Sequence, residues 1–150
     1  MMVENPQHQA DGGYDVFISY RRRDPDRTWV RTRLVPRLGL EGLRVCLDVE
    51  SFRLGAPLVL EMGRAVESST YTVAVLTPAY LESTFTELES VLAEHLGLEE
   101  RERRLIVIMR EFTRPRLGMR ARTWLNMIND ANFDQDVITL CRQLRMSPES

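Results

Sequence analysis

The chain has 150 residues, of which 43% are hydrophobic and 28% are charged, and its formal net charge is -2. This length suits one domain with its own core, and the longest apolar run is far too short to cross a bilayer. The slightly acidic balance argues against direct nucleic-acid binding, and the absence of lysine excludes any mechanism that needs a lysine amine.

We expect three parts along the chain. Residues 1–12 lack the apolar segment of a signal peptide and are predicted to form a disordered leader. Residues 13–145 are predicted to form one cytoplasmic domain, followed by a tail or linker at 146–150. Cys46 and Cys141 lie within apolar patterns and fit no metal-binding spacing, so we expect buried thiols in a reducing compartment.

Strand and helix patterns alternate along the domain. Strands are predicted at residues 14–20, 44–47, 70–77 and 104–110, with a weaker fifth at 126–129. Helices are predicted at about 26–38, 57–68 and 83–95, and a last helix carries the apolar stripe of residues 137–144. Asp24 and Asp26 are candidate caps of the first helix, whose last turn Pro36 makes doubtful. The alternation predicts an α/β fold with an open parallel sheet covered by helices on both faces.

Ligands of open α/β sheets bind at the carboxyl ends of the strands, which directs attention to three segments. These are the residues after the first strand, the loop 48–57 after the second, and the start of the helix at Ser83. The sequence contains neither the Rossmann motif G-x-G-x-x-G nor the P-loop motif G-x-x-x-x-G-K-[ST], both of which bind phosphate groups. His8 lies in the predicted leader and His95 on an apolar helix stripe, so almost no candidates remain for a zinc site or a histidine-based triad.

Three motifs resemble those of the Toll/interleukin-1 receptor (TIR) domain family and occur in the same order. YDVFISY at 14–20 resembles box 1, RVCLDVESFRLG at 44–55 resembles box 2 with its BB loop, and STFTELES at 83–90 resembles the helix motif S-x-W-C-x-x-E. SYRR after the first strand and LDVE after the second resemble the NAD-cleaving branch, which includes the animal axon-degeneration enzyme and prokaryotic immune effectors. The chain departs from the family pattern at Leu54, where a proline is usual, and at Phe85 and Thr86, which replace tryptophan and cysteine.

The resemblance implies a flavodoxin-like five-stranded TIR fold and an NAD+ glycohydrolase of a prokaryotic immune or cell-death effector. The products would be nicotinamide and either ADP-ribose or a cyclic ADP-ribose; NAD+ is the substrate, and no metal or other cofactor is expected. Glu89 matches the catalytic glutamate of the family. The resemblance also implies substrate contacts from Ser19, Tyr20, Arg21, Arg22, Asp48, Glu50, Phe52, Gly55, Ser83 and Phe85.

The resemblance further implies self-association through TIR–TIR contacts that include the loop 48–57. A sensor module is expected at the C-terminus or on a separate protein, and neither a membrane nor nucleic acid is an expected direct partner. The alternative from a different functional class is a non-catalytic TIR–TIR assembly or adaptor domain.

Helical geometry separates the three glutamates of the 83–95 helix. At about 100° per residue, Leu88, Val91, Leu92 and His95 fall on the core stripe. Glu89 falls on one rim of that stripe, and Glu87 and Glu94 fall on the other. Periodicity alone is also consistent with Glu89 as a solvated surface charge, but the family motif selects the same residue.

The other candidate residues have structural alternatives. Phe85 and Tyr20 are either core residues or pocket walls, and Arg21 and Arg22 either form a solvated turn or bind the phosphates of NAD+. Asp48 and Glu50 are alternatively solvated loop charges. Gly55 alternatively serves a positive-φ turn, and Ser83 alternatively caps a helix.

Overall fold

The structure is a computed structural model of the chain and describes residues 13–47, 57–114, 119 and 121–148. Five parallel strands form one sheet in the order β2-β1-β3-β4-β5. Their bounds are β1 Tyr14–Ser19, β2 Val45–Leu47, β3 Ser69–Leu76, β4 Leu105–Met109 and β5 Thr123–Asn126. The predicted open parallel sheet is confirmed.

Helices follow β1, β2, β3 and β5 in the described part of the chain. The first, α1, combines an α-helical turn at Asp26–Trp29, a π-helical segment at Val30–Leu34 and an α-helical segment at Val35–Leu40. The others are α2 Leu58–Glu67, α3 Pro78–Ser83, α4 Phe85–His95, α5 Leu98–Arg104 and α6 Phe133–Leu144, with a 3-10 turn at Asp130–Asn132 before α6.

Each face of the sheet packs against its own set of helices because successive strand side chains point to opposite faces. In β1, Val16 and Ile18 belong to a core cluster with residues of α1 and α6. Phe17 belongs to a second cluster with residues of α2, α3 and α4. Helix α4 and helix α1 therefore lie on opposite faces of the sheet.

Three predicted elements differ from the structure. Helix α1 continues to Leu40, because Pro36 lies in the first turn of the segment after the π-helical stretch, where a missing N–H is tolerated. The region predicted as one helix from 83 contains the end of α3 and all of α4, with a break at Thr84. Strand β5 lies three residues earlier than predicted, and an Asx turn in which Asn126 accepts from the Ile128 N–H follows it.

The remaining structural expectations concern the tail, the thiols and the membrane. The Tyr71 hydroxyl donates to the Met146 carbonyl at 2.9 Å, so the first residue of the predicted tail contacts the core. Cys46 and Cys141 are both buried and free, and burial raises the pKa of the Cys141 thiol. Among the described residues, no helix has the length and apolar character needed to span a membrane.

Candidate active site around Glu89

Glu89 lies on the flank of α4, one turn after Phe85. The inward face of this helix is formed by Phe85, Leu88, Val91 and Leu92, all of which are buried. The Glu89 side chain is 34% exposed, which confirms its predicted position at the rim of the core stripe. His95, predicted to complete the stripe, is only half-buried, and its Nδ1 lies 2.6 Å from Oε2 of Glu67 on α2.

The polar contact that distinguishes Glu89 comes from Arg101 on α5. Nη2 of Arg101 lies 4.0 Å from Oε2 of Glu89, and the Arg101 side chain is only 7% exposed. In the described parts of the chain, Glu89 accepts no hydrogen bond, and neither Glu87 nor Glu94 has an ion pair. The Glu89 carboxylate is therefore partly accessible and able to accept hydrogen bonds from a ligand.

Three predicted substrate contacts lie in the core. Ser19, Tyr20 and Phe85 are all buried. The hydroxyl of Ser19 is 2.9 Å from that of Tyr80, whose ring centroid lies 6.1 Å from the ring of Phe85. Their burial favours the core alternative over a pocket wall for Tyr20 and Phe85, because a side chain with almost no exposed surface cannot contact a ligand in this conformation. Ser19 instead contacts Tyr80 on α3, and Tyr80 packs against Phe85 on α4, the helix that carries Glu89. Tyr20 belongs to the core cluster on the opposite face of the sheet, with residues of α1 and α6.

A second buried connection joins the carboxyl ends of β1 and β3, between which the strand order reverses. Oγ1 of Thr77 donates to Oδ2 of Asp26 at 2.7 Å and accepts from the Tyr80 N–H at 3.1 Å. Asp26 therefore ties the start of α1 to the start of α3 rather than capping α1. The N-cap residue of α1 is Pro25, and Oδ1 of Asp24, one residue earlier, accepts from the Thr28 N–H in the first turn.

The other predicted contacts are partly exposed or lie outside the described residues. Arg21 and Arg22 are partly exposed after β1, and Nη1 of Arg21 donates to the Asp24 carbonyl at 3.4 Å. Ser83 is exposed at the end of α3, where its hydroxyl donates to the Ala79 carbonyl, so it does not cap α4. The predicted contacts that lie outside the described residues are Asp48, Glu50, Phe52 and Gly55.

Sequence reasoning missed both Arg101 and a cavity on the opposite face of the sheet. The alternating charges of LEERERR indicate a solvated helix and give no sign that one arginine is buried. The cavity has a volume of about 530 Å³ and is lined by Pro25, Asp26, Thr28, Trp29, Thr32, Arg33, Arg110, Glu111 and Ile128.

The cavity wall is held by interactions within the chain. The guanidinium of Arg110 lies 4.5 Å from the centroid of the Trp29 ring, and its Nη1 pairs with Asp130 at 2.8 Å. The Arg110 guanidinium thus already has interaction partners within the chain. No group of three or more His, Cys, Asp or Glu side chains able to hold a metal occurs among the described residues.

The family model for the TIR domain matches residues 16–141. The chain belongs to the TIR domain family. This TIR domain is 32% identical over 98 residues to human Toll-like receptor 6, a match that covers 65% of this chain and 12% of the receptor. It is 40% identical over 76 residues to "Probable 2' cyclic ADP-D-ribose synthase BdTIR" of Brachypodium distachyon, covering 51% of this chain and 34% of that protein.

A solved structure supports the fold. The TIR domain of the Toll-related receptor TRR-2 from Hydra magnipapillata matches with a TM-score of 0.72 at 22% identity, over 89% of this chain and 99% of that chain. At this identity the likeness shows the fold alone. The chain spans only a small fraction of the Toll-like receptors that it matches.

Proposed function

We propose that this TIR domain is an NAD+ glycohydrolase that cleaves the bond between nicotinamide and ribose, with Glu89 as the catalytic residue. It would act in the cytoplasm in a prokaryotic defence or cell-death response. The observation that carries the proposal is the state of Glu89: a partly exposed carboxylate that no described group hydrogen-bonds. The similarity to a Brachypodium distachyon protein named as a cyclic ADP-ribose synthase supports the same chemistry.

A single carboxylate suits this reaction. Cleavage of the nicotinamide–ribose bond builds positive charge on the sugar in an oxocarbenium-like transition state, as in glycoside hydrolysis. Nicotinamide leaves as a neutral molecule, so no general acid is needed to protonate it. A carboxylate that accepts hydrogen bonds from the ribose hydroxyls can orient the sugar and stabilise the developing charge. Water or the adenine ring would then capture the sugar, giving ADP-ribose or a cyclic product.

Roles for the remaining candidates follow from their accessibility. Arg21 and Arg22 are partly exposed at the carboxyl end of β1. They are suited to bind the phosphates of NAD+, because a guanidinium can donate two parallel hydrogen bonds to the oxygens of one phosphate. Ser83 is exposed near the start of α4 and could contact the ribose. The buried residues Ser19 and Phe85 would support the site without touching the substrate, whereas Tyr20 packs on the opposite face of the sheet.

Self-association is part of the proposal, since the loop 48–57 of one copy would complete the site of the next. Replacing Gly55 by a bulky residue should then lower activity and self-association together. Activity should rise faster than protein concentration in the range where the domain assembles, as measured by nicotinamide release alongside sedimentation velocity. A strictly monomeric protein with full activity would contradict this part of the proposal.

No metal is proposed in the mechanism, because the carboxylate alone supplies the charge that the transition state needs. Nicotinamide release should therefore continue in excess chelator. Activity that is lost in chelator and restored by a divalent cation would show that this mechanism is wrong.

A non-catalytic assembly domain is the second candidate. Trp124, Ile128 and Ile138, on or near β5 and α6, are large apolar side chains that are exposed in the described part of the chain. In an assembly domain these side chains would lie against another protein. The similarity to Toll-like receptor 6 over 98 residues is compatible with this candidate.

Incubation of the purified domain with NAD+ separates the two candidates. Glycohydrolase activity predicts nicotinamide release by the assembled parent protein and release at least about 100-fold slower by Glu89→Gln under the same conditions. Chromatography of the products distinguishes ADP-ribose from cyclic ADP-ribose. An assembled parent protein that leaves NAD+ intact would favour the assembly domain.

A further inference from the structure

We propose that Arg101 is a positioning residue that holds the Glu89 carboxylate in its working orientation. The inference rests on the proposed function, because it assigns to Arg101 a role in the cleavage step. Arg101 would act through Glu89 and would not touch NAD+.

The topology brings Arg101 to Glu89 from the amino ends of the strands, whereas the ligand is expected at their carboxyl ends. Helix α5 leads directly into the amino end of β4, and Nη1 of Arg104 donates to the Thr70 carbonyl near the amino end of β3. Helix α4, in contrast, follows α3 from the carboxyl end of β3. Ligands of open α/β sheets bind at the carboxyl ends of the strands. Arg101 therefore approaches Glu89 from the end of the sheet that lies away from the expected ligand.

Burial sets Arg101 apart from its neighbours on α5. Its side chain is 7% exposed, whereas that of Arg104 is 25% exposed and pairs with Glu100 within the same helix. A buried guanidinium carries a desolvation penalty, which a nearby carboxylate offsets. Its packed surroundings also keep the charge in one place, so the field that acts on Glu89 has a fixed direction.

The separation of 4.0 Å between Nη2 of Arg101 and Oε2 of Glu89 allows Arg101 to position the carboxylate without occupying its hydrogen-bond acceptors. This distance is too long for a hydrogen bond but short enough for attraction between opposite charges. Arg101 can therefore restrict the rotation of the Glu89 side chain while both carboxylate oxygens still accept hydrogen bonds from ribose. A carboxylate held in this way needs less reorganisation in the transition state.

The experiment compares kcat and KM for NAD+ in the parent domain, Arg101→Met, Arg101→Lys and the control Arg103→Met. Methionine keeps an unbranched side chain and removes the charge, lysine keeps the charge, and Arg103 lies on the same helix without a described ion pair to Glu89. We expect Arg101→Met to lower kcat at least about tenfold, with KM within about twofold. Lysine should recover part of kcat, and the control should match the parent.

Combination with Glu89→Ala tests whether Arg101 acts through Glu89. If it does, Arg101→Met should cause no further loss in the Glu89→Ala background, since the group that it positions is gone. A purely structural role would instead lower the rate by the same factor in both backgrounds and would be accompanied by a matching loss of folded protein in circular dichroism. If Arg101→Met does not fold, Arg101→Lys and its combination with Glu89→Ala provide the same comparison.

The outcomes separate the two proposals. A parent domain without cleavage activity overturns the proposed function and this inference with it. An active parent whose Arg101→Met variant keeps its kcat within about twofold overturns the positioning role alone, as does an equal rate loss in the two backgrounds.

Discussion

The hydroxyl oxygens of Ser19 and Tyr80 lie 2.9 Å apart in a buried position, although the two residues are separated by 61 positions in the chain. This pair joins the end of β1 to α3, and the Tyr80 ring lies beside Phe85, the first residue of α4. The helix that carries Glu89 thus packs against a tyrosine that a buried polar contact ties to the carboxyl end of β1.

Removal of the Tyr80 hydroxyl should destabilise the domain. Tyr80→Phe leaves the buried Ser19 hydroxyl without this contact, so the free energy of unfolding should fall by about 1–3 kcal/mol. Chemical denaturation of Tyr80→Phe, Ser19→Ala and the double variant measures the coupling. The double variant should be less destabilised than the sum of the single ones, and simple additivity would contradict the proposed pairing.

The packing of α2 against α4 predicts a strong effect at Gly63. A Cβ atom at this position would lie 2.6 Å from Nε2 of His95, so the imidazole would have to move and give up its 2.6 Å contact with Glu67. Gly63→Ala should cost about 1–3 kcal/mol by overpacking. Gly39→Ala, where a Cβ meets nothing within 4 Å, is the control and should be tolerated.

Thermal unfolding of Gly63→Ala with and without His95→Ala identifies the cause. The second substitution makes room for the new methyl group and should recover part of the lost stability. If Gly63→Ala is as stable as Gly39→Ala, the close approach of the two helices is wrong.

The surface carboxylates predict loss of stability in acid. Hydrogen bonding from the Arg110 guanidinium lowers the pKa of Asp130, and hydrogen bonding from the Thr28 hydroxyl lowers the pKa of Asp24. A lowered pKa in the folded state contributes stability above the unfolded pKa of about 4, and this contribution is lost as the pH falls through the folded pKa. The parent should therefore lose stability as the pH falls below about 4.

Asp130→Asn tests this assignment through denaturant midpoints at neutral and acidic pH. The variant should be less stable than the parent at pH 7, and the difference should shrink in acid, where the parent carboxyl is also protonated. A difference that does not change with pH would show that the Asp130 charge is not responsible.

The sequence predicted most of the fold because each strand and helix carries its own hydrophobic pattern. The strand 14–20 and the helix 57–68 were placed within one or two residues of the observed elements. Thr77 is the last residue of the predicted third strand, but its hydroxyl caps α3 and also donates to Asp26. That partner is 51 positions away, so no local pattern reveals it.

The candidate site was only partly predictable for the same reason. Glu89 was found because a helical wheel and a family motif selected one residue. Arg101 was missed because its burial depends on how α5 packs at the amino end of the sheet. Phe85 occupies a motif position and is aromatic, so the sequence is consistent with both a pocket wall and a core residue. Only the three-dimensional packing assigns Phe85 to the core.

The most direct test of the account compares nicotinamide release from NAD+ by the parent domain, Glu89→Gln and Glu87→Gln under conditions where the parent is assembled. Glu87 and Glu89 are acidic, partly exposed and on the same helix, but only Glu89 lies beside Arg101 among the described residues. Glutamine preserves the shape of each side chain, so melting curves should stay close to the parent. Glu89→Gln should lower the rate at least about 100-fold, the scale expected for loss of one preorganised transition-state contact, and Glu87→Gln should change it little. Equal rates for Glu89→Gln and the parent would contradict the catalytic assignment of Glu89.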